Sequence, residues 1–270
     1  SDVKMRKFSA LVLAGDRKPG DPVAAQAGSG SKSIVPIAGI PMAMRVIDAL
    51  SASAEIESIS LCGPSREVLQ ECSPLLDRVD SGTINWFPAQ NSPCSSVEFC
   101  LQRMDKNTPV LLTTADHALL TTEIIDYFIG ETLKQKADVT VALLDHGLVR
   151  KAFPSSRRTR YRFRDGDYCS CNLFAFMNES GREIVRLWKQ VEDNRKHPHR
   201  VLSYLLGWPT LLQYLFGRLT LNKTLATVSA RINIDIAEVN LPFPGAGIDV
   251  DSMDDFHLVE SILIGDSASR

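Results

Sequence analysis

Residues 9–42, SALVLAGDRKPGDPVAAQAGSGSKSIVPIAGIPM, begin as an apolar run and continue into a loop rich in Gly, Ala and Ser. The apolar run at residues 8–14 is followed by a glycine, and its length and composition predict a buried strand of a parallel sheet rather than an amphipathic helix. Backbone N–H groups of a Gly-rich loop after a strand can surround phosphate oxygens without interference from side chains. The stretch therefore predicts a strand followed by an anion-binding loop.

Two common phosphate-binding motifs do not fit this loop. A Walker A motif requires Gly and Lys to be adjacent, whereas Ser31 separates Gly30 from Lys32. A dinucleotide fingerprint requires three spaced glycines that open a helix, and Ser33 stands where the third glycine belongs. The loop is therefore neither a P-loop nor a dinucleotide-binding turn.

The chain continues as alternating strands and helices to about residue 145. Pro41 begins a helical pattern, and apolar runs at residues 56–62, 109–114 and 139–144 predict further buried strands. Strands that alternate with helices are typical of a parallel sheet. We therefore expect an α/β fold with a Rossmann-like mixed, mostly parallel sheet and helices on both faces.

The second half of the chain departs from this alternation. Asp165-Gly166 separates two strand-like segments in RTRYRFRDGDYCSCNLFAF, which is typical of a hairpin and makes the sheet mixed. The apolar residues 201–225 are interrupted by Gly and Pro and predict short helices. Strands are expected at residues 231–239 and 247–250, and Ser252 is expected to cap a final helix.

Composition limits the classes of partner. The 270 residues carry 30 Lys and Arg against 32 Asp and Glu, a formal net charge of −2. This balance provides no global field to attract nucleic acid or an anionic membrane, so neither is expected as a partner. No apolar stretch reaches the roughly 20 residues of a membrane-spanning helix. The six cysteines form no CxxC pair, which favours free thiols and a cytoplasmic protein.

The first strand, the loop and the first helix carry a family resemblance. LVLAG, then Arg17, then Lys32, PIAGIPM and RVIDAL occur in this order. The order resembles NTP transferases of the molybdenum cofactor guanylyltransferase-like type, which share the nucleotide-diphospho-sugar transferase (GT-A) fold. The resemblance assigns Leu13, Ala14 and Gly15 to the nucleoside and Arg17 and Lys32 to the phosphates. A guanidinium and an ammonium group are suited to binding a triphosphate.

Three later motifs agree with the same family. The helix start in NSPCSSVEFCL corresponds to the family's base-binding turn and assigns Ser95 and Ser96 to the nucleotide. Asp116 follows a central apolar strand, at the edge where open α/β sheets bind ligands. GIDVDSMDDFHLVESIL is similar to the family's closing signature. The resemblance makes Asp116 and Asp251 the metal ligands, with Asp249 as the competing choice for the second.

The activity implied by the resemblance is nucleotidyl transfer. A nucleoside monophosphate would pass from an NTP to a phosphorylated or hydroxyl small-molecule acceptor, with release of pyrophosphate. Arg17, Lys32 and Asp116 would be the catalytic residues. Carboxylates at Asp116 and Asp251 would hold Mg²⁺ (or Mn²⁺), a hard cation that prefers oxygen ligands.

The acceptor is expected over residues 145–230, which we interpret as an insertion within a single domain of residues 1–270. Arginines alternate along residues 158–164, and several of them can hold an anion. The residues expected to contact the small anionic acceptor are Asn172, Arg164, Arg195 and Lys196.

Two departures from the family pattern keep other functions open. Gly15-Asp16 stands where most relatives have two glycines, and Ser170-Cys171 stands where one branch has two glycines. A catalytically impaired nucleotide-binding or regulatory module is one alternative. A sugar-nucleotide-binding glycosyltransferase on the same fold is another, since it also places an Asp after the central strand.

Overall fold

The computed structural model describes residues 7–16 and 20–268, without the side chains of Trp208, Ser267 and Ala268. The strands are β1 (Phe8–Leu13), β2 (Pro36–Ile37), β3 (Ile40–Pro41), β4 (Ile56–Cys62), β5 (Asn85–Phe87), β6 (Val110–Thr114), β7 (Val139–Asp145), β8 (Tyr161–Phe163), β9 (Gly166–Phe176) and β10 (Ile236–Asn240). The α-helices are α1 (Pro22–Ala27), α2 (Met42–Ser51), α3 (Arg66–Leu69), α4 (Ser73–Asp80), α5 (Pro93–Leu101), α6 (Thr122–Lys134), α7 (His146–Ala152), α8 (Glu179–Arg182), α9 (Ile184–Asp193), α10 (Pro198–Leu206), α11 (Trp208–Leu215), α12 (Leu221–Ile232) and α13 (Met253–Ala268). Short 3₁₀ turns occur at Lys32–Ile34 and Pro244–Gly247.

The described strands form one large sheet and a small hairpin. The large sheet has the order β10-β7-β9-β6-β1-β4-β5, with β8 paired to β9, and β2 pairs with β3 separately. β1 is parallel to both β4 and β6, and β7 is parallel to β10. β9 lies antiparallel between β6 and β7. The predicted mixed, mostly parallel sheet is therefore confirmed, as is the β8–β9 hairpin around Asp165-Gly166.

Helices cover both faces of this sheet. Ala10 and Val12 of β1 pack into one buried cluster with residues of α2, α4 and α6. Leu11 packs into a second cluster with residues of α5 and α9. Successive strand residues point to opposite faces, so the continuous apolar run of β1 indicates burial on both sides. The prediction from residues 8–14 is confirmed in β1.

Residues 145–230 contribute to the centre of the fold as well as to its periphery. They supply the central strand β9 and also α10, α11 and α12, which share a small core of their own. The division of the chain into one domain with an insertion stays a prediction. None of the helices in residues 7–16 and 20–268 is long and apolar enough to cross a membrane.

One predicted strand is wrong in its extent, and another is absent. α12 continues to Ile232 and is ended by Asn233 in a left-handed conformation (φ 55°), so the strand predicted at residues 231–239 is reduced to β10. The alternating apolar residues at 231–239 predict a longer strand, but the packing of α12 against α10 keeps the first part of this stretch helical. Residues 247–250 are not a strand, because Val250 N–H bonds to the Asp116 carbonyl (3.1 Å) rather than to a neighbouring strand.

The parallel strands bring several loops to one edge of the sheet. After β1 the chain builds β4 and β5 on one side, and it then returns to build β6 on the other side. Ala14 N–H bonds to the Cys62 carbonyl (2.8 Å), and Ala115 N–H bonds to the Leu13 carbonyl (2.9 Å). The loops after β1, β4 and β6 therefore lie side by side at the point where the strand order reverses, which is where open α/β sheets bind ligands.

Gly63, just after β4, is held tightly against the loop after β1. It has φ +73°, and a Cβ added there would lie 2.9 Å from the Gly15 nitrogen. Gly82 has a similar φ of +76° but no neighbouring atom within 4 Å of an added Cβ. We expect G82A to cost about 1–2 kcal/mol of stability from the left-handed conformation alone. G63A should cost a further 1–3 kcal/mol or so from overpacking. Urea unfolding of the two variants measures the difference, and equal losses would contradict the close contact at Gly15.

His117, in the loop after β6, provides a pH-dependent contribution to stability. It is fully buried, its Nδ1 lies 3.4 Å from Thr113 Oγ1, and burial lowers its pKa to about 4. A histidine with a lowered pKa stabilises the fold above the unfolded-state pKa of roughly 6.5, and this contribution is lost as pH falls towards the folded-state pKa. Between pH 7 and pH 5 the wild type should lose about 2 kcal/mol more than His117→Asn. Urea titrations at pH 7, 6 and 5 test this, and identical pH slopes would contradict it.

Candidate functional site

Lys32, Asp116 and Asp251 meet at the carboxyl edge of the sheet. Lys32 Nζ donates to Asp116 Oδ2 at 2.9 Å and to Asp251 Oδ1 at 3.5 Å. Thr114 Oγ1 donates to the other Asp116 oxygen at 2.6 Å. The Lys32 and Asp116 side chains are each 17% exposed, whereas that of Asp251 is 64% exposed. One ammonium group thus joins a buried carboxylate to a more exposed one.

Asp16 fixes the end of the loop that carries Lys32. Its Oδ1 accepts hydrogen bonds from Ser31 Oγ and from the Lys32 N–H, both at 3.2 Å. Ser31 Oγ in turn accepts the N–H of Ser33 (3.2 Å) and caps the 3₁₀ turn that begins at Lys32. Asp16, which departs from the family pattern, therefore stabilises the loop, because its carboxylate bonds to residues 31 and 32.

The charges at this edge perturb one another. Burial acts to raise the pKa of Asp116, but the Lys32 ammonium and the Thr114 hydroxyl outweigh it and the pKa is lowered. Burial acts to lower the pKa of Lys32, but the carboxylates of Asp116 and Asp251 outweigh it and the pKa is raised. Each partner thus keeps the other charged at neutral pH.

Asp249 lies deeper in the same edge. It is 8% exposed, its Oδ2 accepts Asn172 Nδ2 at 2.5 Å, and its Oδ1 is buried without a hydrogen-bond partner among the described residues. Burial, together with the charges of Asp116 and Asp251, raises its pKa well above the ordinary value. A buried oxygen without a partner is costly unless a ligand satisfies it.

The position of Asn172 depends on an irregularity in β9. Val141 of β7 faces Phe174, whereas Leu143 faces Ser170, so the pairing register shifts between them. Asn172 lies within this shift with φ +45°, a conformation that Asn tolerates better than most residues. The bulge directs the amide towards Asp249, in line with the frequent use of bulges beside functional sites.

Arg158 joins the loop before β8 to the start of α13. Its Nη2 donates to the Asp249 carbonyl at 2.9 Å and to Asp255 Oδ1 at 2.7 Å. Its Nη1 lies 3.9 Å from Asp251 Oδ2. Asp255 Oδ2 accepts the N–H groups of Asp251 (3.1 Å) and Ser252 (3.2 Å), so both carboxylate oxygens of Asp255 are used.

The turn before α5 packs against the first loop. A Cβ added to Gly15 would lie 2.9 Å from the Cβ of Ala89, so only glycine allows this approach. Ser96 is buried and its Oγ accepts the Gln90 N–H at 2.8 Å. Ser95 Oγ accepts a hydrogen bond from Ser92, the N-cap of α5. The structure therefore brings the turn of Ser95 and Ser96 to the same edge as Gly15, with both hydroxyls engaged in shaping it.

The remaining predicted site residues are Arg17, Arg164, Arg195 and Lys196. Arg17 lies outside the described residues. Arg164 is exposed at the β8–β9 turn, and its N–H bonds to the Leu219 carbonyl. Arg195 and Lys196 are exposed in the segment after α9. Glu192 Oε2 accepts the Cys94 N–H at 3.4 Å, which places the end of α9 beside the start of α5.

Two contributors to this edge were not singled out as site residues by the sequence analysis. The sequence carried a signal for the capping role of Asp255, since Ser252 and Asp255 have the spacing of a capping box. In the structure the two residues form the reciprocal hydrogen bonds of such a box. Arg158 carried no local signal beyond the alternation of arginines. β8 comprises Tyr161–Phe163 only, so Arg158 lies outside that strand and does not follow its alternation.

The chemistry of this edge fits a divalent cation. Among the described residues no group of three or more acidic, His or Cys side chains is arranged as a ready-made metal site. Lys32 nevertheless places one positive charge between Asp116 and Asp251, and the buried Oδ1 of Asp249 lacks a partner. Carboxylate oxygens are the ligands that Mg²⁺ prefers. A cation that replaced the Lys32 ammonium would find such oxygens at this edge.

Comparison with solved structures shows the same fold in transferases. A hypothetical transferase from Thermus thermophilus is 28% identical, with a TM-score of 0.76 over 93% of this chain and 99% of that one. A 4-diphosphocytidyl-2C-methyl-D-erythritol synthase from Anaerococcus prevotii DSM 20548 is 14% identical (TM-score 0.57, 96% and 98% covered). A CMP:2-keto-3-deoxy-manno-octonic acid synthetase complexed with CTP is 13% identical (TM-score 0.56, 96% and 98% covered). The last two likenesses concern the fold alone.

Comparison with protein families gives the assignment. No curated protein sequence matches the chain. The family model of the MobA-like NTP transferase domain matches residues 10–215, which include most of β1, the loop of Lys32, Asp116 and the bulge at Asn172. The match covers most of the 270 residues and agrees with the fold, so the chain belongs to the MobA-like NTP transferase family.

Proposed function

We propose that the protein transfers a nucleoside monophosphate from an NTP to a small anionic acceptor, phosphorylated or bearing a hydroxyl group, and releases pyrophosphate. The observation that carries this proposal is the Lys32 ammonium between Asp116 and Asp251, beside the Gly15 loop. Such an arrangement would provide one cation for phosphates and two carboxylates for a metal ion. Family membership supports nucleotidyl transfer in general.

The nucleotide would lie across the loops after β1 and β5. The nucleoside would contact the backbone of Leu13, Ala14 and Gly15. Because Gly15 has no side chain, the nucleoside could approach its backbone closely. Ser95 and Ser96 would contact the nucleotide from the start of α5, since their hydroxyl oxygens accept hydrogen bonds within the turn while an O–H group can still donate to a ligand. The N–H groups at a helix start favour polar and anionic ligand atoms.

Lys32 would exchange partners when the nucleotide binds. Its ammonium is held by carboxylates, and a triphosphate carries more negative charge than either of them. Lys32 and Arg17 would then stabilise the charge that develops on the phosphates. Charge placed in advance where it is needed in the transition state is typically worth a few kcal/mol per group.

Asp116 and Asp251 would hold Mg²⁺ (or Mn²⁺), with Asp249 as the alternative second ligand. The metal would supply charge neutralisation of the triphosphate oxygens. Before the nucleotide binds, the Lys32 ammonium and the Thr114 hydroxyl lower the pKa of Asp116 and keep its carboxylate ionised. The unpartnered Oδ1 of Asp249 supports its participation.

The proposed reaction is a direct displacement. An acceptor oxygen forms a bond to the α-phosphorus, and the bond from that phosphorus to the oxygen bridging to the β-phosphorus breaks. The electron pair leaves with pyrophosphate. An ionised phosphate acceptor brings its own nucleophilic oxygen, so no side chain need remove a proton. A hydroxyl acceptor would lose its proton to the solvent as the new bond to phosphorus forms.

The acceptor would approach from residues 145–230. Asn172 is close to the carboxylates through its bond to Asp249, and it would orient an acceptor from there. Arg164, Arg195 and Lys196 are exposed and would attract the anion. Arg195 and Lys196 follow the end of α9, near the start of α5, so they would serve the nucleotide side as well.

Replacement of Asp116 tests the proposed activity. The wild type is incubated with each of the four NTPs, Mg²⁺ and a panel of phosphorylated and hydroxyl small molecules, and pyrophosphate is measured. Asp116→Asn should reduce the rate at least about 100-fold, the usual scale for a group that stabilises transition-state charge. Asp77→Asn, at an exposed position on α4, is the matched control and should keep the wild-type rate.

Other outcomes identify the alternatives. NTP binding without pyrophosphate release, with every acceptor, would contradict the proposal and favour a regulatory module. Hydrolysis or transfer of sugar from a sugar nucleotide, again without NTP turnover, would indicate a glycosyltransferase.

Replacement of Lys32 tests the exchange of partners. Lys32→Met keeps most of the side-chain length but removes the charge, so the Asp116 and Asp251 oxygens become available to a metal ion. NTP affinity should fall about tenfold or more, the scale of one charge-assisted hydrogen bond, while Mn²⁺ alone should bind more tightly. Calorimetry with NTP and electron paramagnetic resonance with Mn²⁺ measure the two effects. Lys134→Met, which removes a 73% exposed ammonium on α6, is the control. Unchanged NTP affinity in Lys32→Met would refute the assignment.

A further inference from the structure

Arg158 is more constrained than the arginines that follow it. Its side chain is 10% exposed, and it donates through Nε to Ser156 Oγ at 3.2 Å, in addition to the Nη2 bonds to the Asp249 carbonyl and Asp255. Arg160 is 30% exposed and forms one ion pair with Asp167 at 3.6 Å. A guanidinium has five N–H donors in a fixed plane. The Nε and Nη2 donors of Arg158 are used within the protein, and its Nη1 lies beside Asp251, so the guanidinium is fixed by internal partners.

The partners of Arg158 share one short segment of chain. Residues 249–255 carry Asp249 and Asp251, and they are not held in the sheet by strand pairing. Val250 N–H bonds to the Asp116 carbonyl, and this contact fixes the segment beside β6. Arg158 fixes it by a separate set of contacts, to the Asp249 carbonyl and the Asp255 carboxylate.

The charge of Arg158 also acts directly on these carboxylates. Its Nη1 lies 3.9 Å from Asp251 Oδ2, on the oxygen that Lys32 does not contact. Asp251 is therefore placed between two cations, one on each carboxylate oxygen. If the Lys32 ammonium leaves for a nucleotide, Arg158 remains as the group that orients Asp251.

We infer that Arg158 is a positioning residue that holds Asp249 and Asp251 in place opposite Asp116 for a divalent cation. The inference rests on the proposed function, because the cation is the one that would accompany the NTP. Arg158 acts through the carboxylates and the backbone, and it touches neither the nucleotide nor the metal. It also links the acceptor-side segment before β8 to the metal-binding edge.

The test measures metal binding as well as turnover. Mn²⁺ binding is measured by electron paramagnetic resonance in the presence of NTP and without an acceptor. Arg158→Met should weaken Mn²⁺ binding about 10- to 100-fold, the usual effect of removing a group that orients metal ligands. Arg158→Lys should recover only part of this loss, since one ammonium cannot reach Ser156, Asp255 and the Asp249 carbonyl together. Arg160→Met is the matched control and should bind Mn²⁺ as the wild type does.

The kinetic signature separates positioning from a general loss of structure. In Arg158→Met the Mg²⁺ concentration for half-maximal activity should rise about 10- to 100-fold, while kcat at saturating Mg²⁺ and the KM for NTP should change less than about threefold. Melting temperatures are recorded for every variant. If Arg158→Met does not fold, Asp255→Asn removes the charge that holds Arg158 and should show the same signature in weaker form.

The contrary outcomes are distinct. A folded Arg158→Met with the Mn²⁺ affinity of Arg160→Met would overturn the inference, as would an Asp255→Asn without effect where Arg158→Met does not fold. If the wild type binds Mn²⁺ with NTP in an Arg158-dependent way but releases no pyrophosphate with any acceptor, the proposed function fails and the inference stands. Absence of Mn²⁺ binding to the wild type with every NTP would overturn both.

Discussion

The concentration of carboxylates at the end of β6 is the constraint on which the organisation of this edge depends. Asp116, Asp249 and Asp251 raise one another's electrostatic energy because they share a partly buried region. Two unpaired carboxylates in such a place would shift their pKa values and lose charge. Lys32 and Arg158 supply positive charge from two directions, and Asn172 supplies a neutral donor to the most buried of the three. The loops that carry these donors are therefore tied to the sheet edge by the charges themselves.

The fold brings together charged side chains that are far apart in the sequence. Lys32 is 84 residues from Asp116 and 219 residues from Asp251. The parallel ends of β1 and β6 and the capping box at the start of α13 help to bring them together, and the bulge in β9 adds Asn172 to the same edge. Asp16 contributes as well, because it bonds the far end of the long first loop to its beginning. Strand pairing sets the coarse position of the edge, and side-chain hydrogen bonds set its detail.

The parts that could be predicted from the sequence are those governed by local patterns. Apolar runs of strand length gave β1, β4, β6 and β7 because burial on both faces leaves little room for polar residues. The position of Asp116 at the ligand-binding edge followed from its place after a central strand. The roles of Lys32, Asp116 and Asp251 in nucleotide and metal binding stay predictions, although the structure brings the three side chains into contact. Arg158 could not be predicted, because its importance arises from a contact across 91 residues that no periodicity records.

The serines show a different limit. Ser95 and Ser96 were assigned from the resemblance to base recognition, and a hydroxyl at a helix start suits either a ligand or a cap equally well. In the structure both hydroxyl oxygens accept hydrogen bonds within the turn, which depends on where Gln90 and Ser92 lie in space, and the assignment of the two serines to the nucleotide stays a prediction. The strand predicted at residues 247–250 shows the same limit of sequence reasoning. Its apolar residues satisfy burial in a strand or in a loop, and only the bond from Val250 to Asp116 decides between them.

The charge balance of the edge couples nucleotide and metal under the proposed function. Asp116 and Asp251 share the Lys32 ammonium, and Arg158 contacts Asp251 and Asp255. A metal ion that arrives alone must compete with the Lys32 ammonium for Asp116 and Asp251. A nucleotide that arrives alone must draw Lys32 away and leave those carboxylates without a partner, which is costly in a partly buried site. When both arrive together, the metal satisfies the carboxylates and Lys32 is released to the phosphates. Each ligand therefore strengthens the binding of the other by the same factor, because coupling between two binding equilibria is reciprocal.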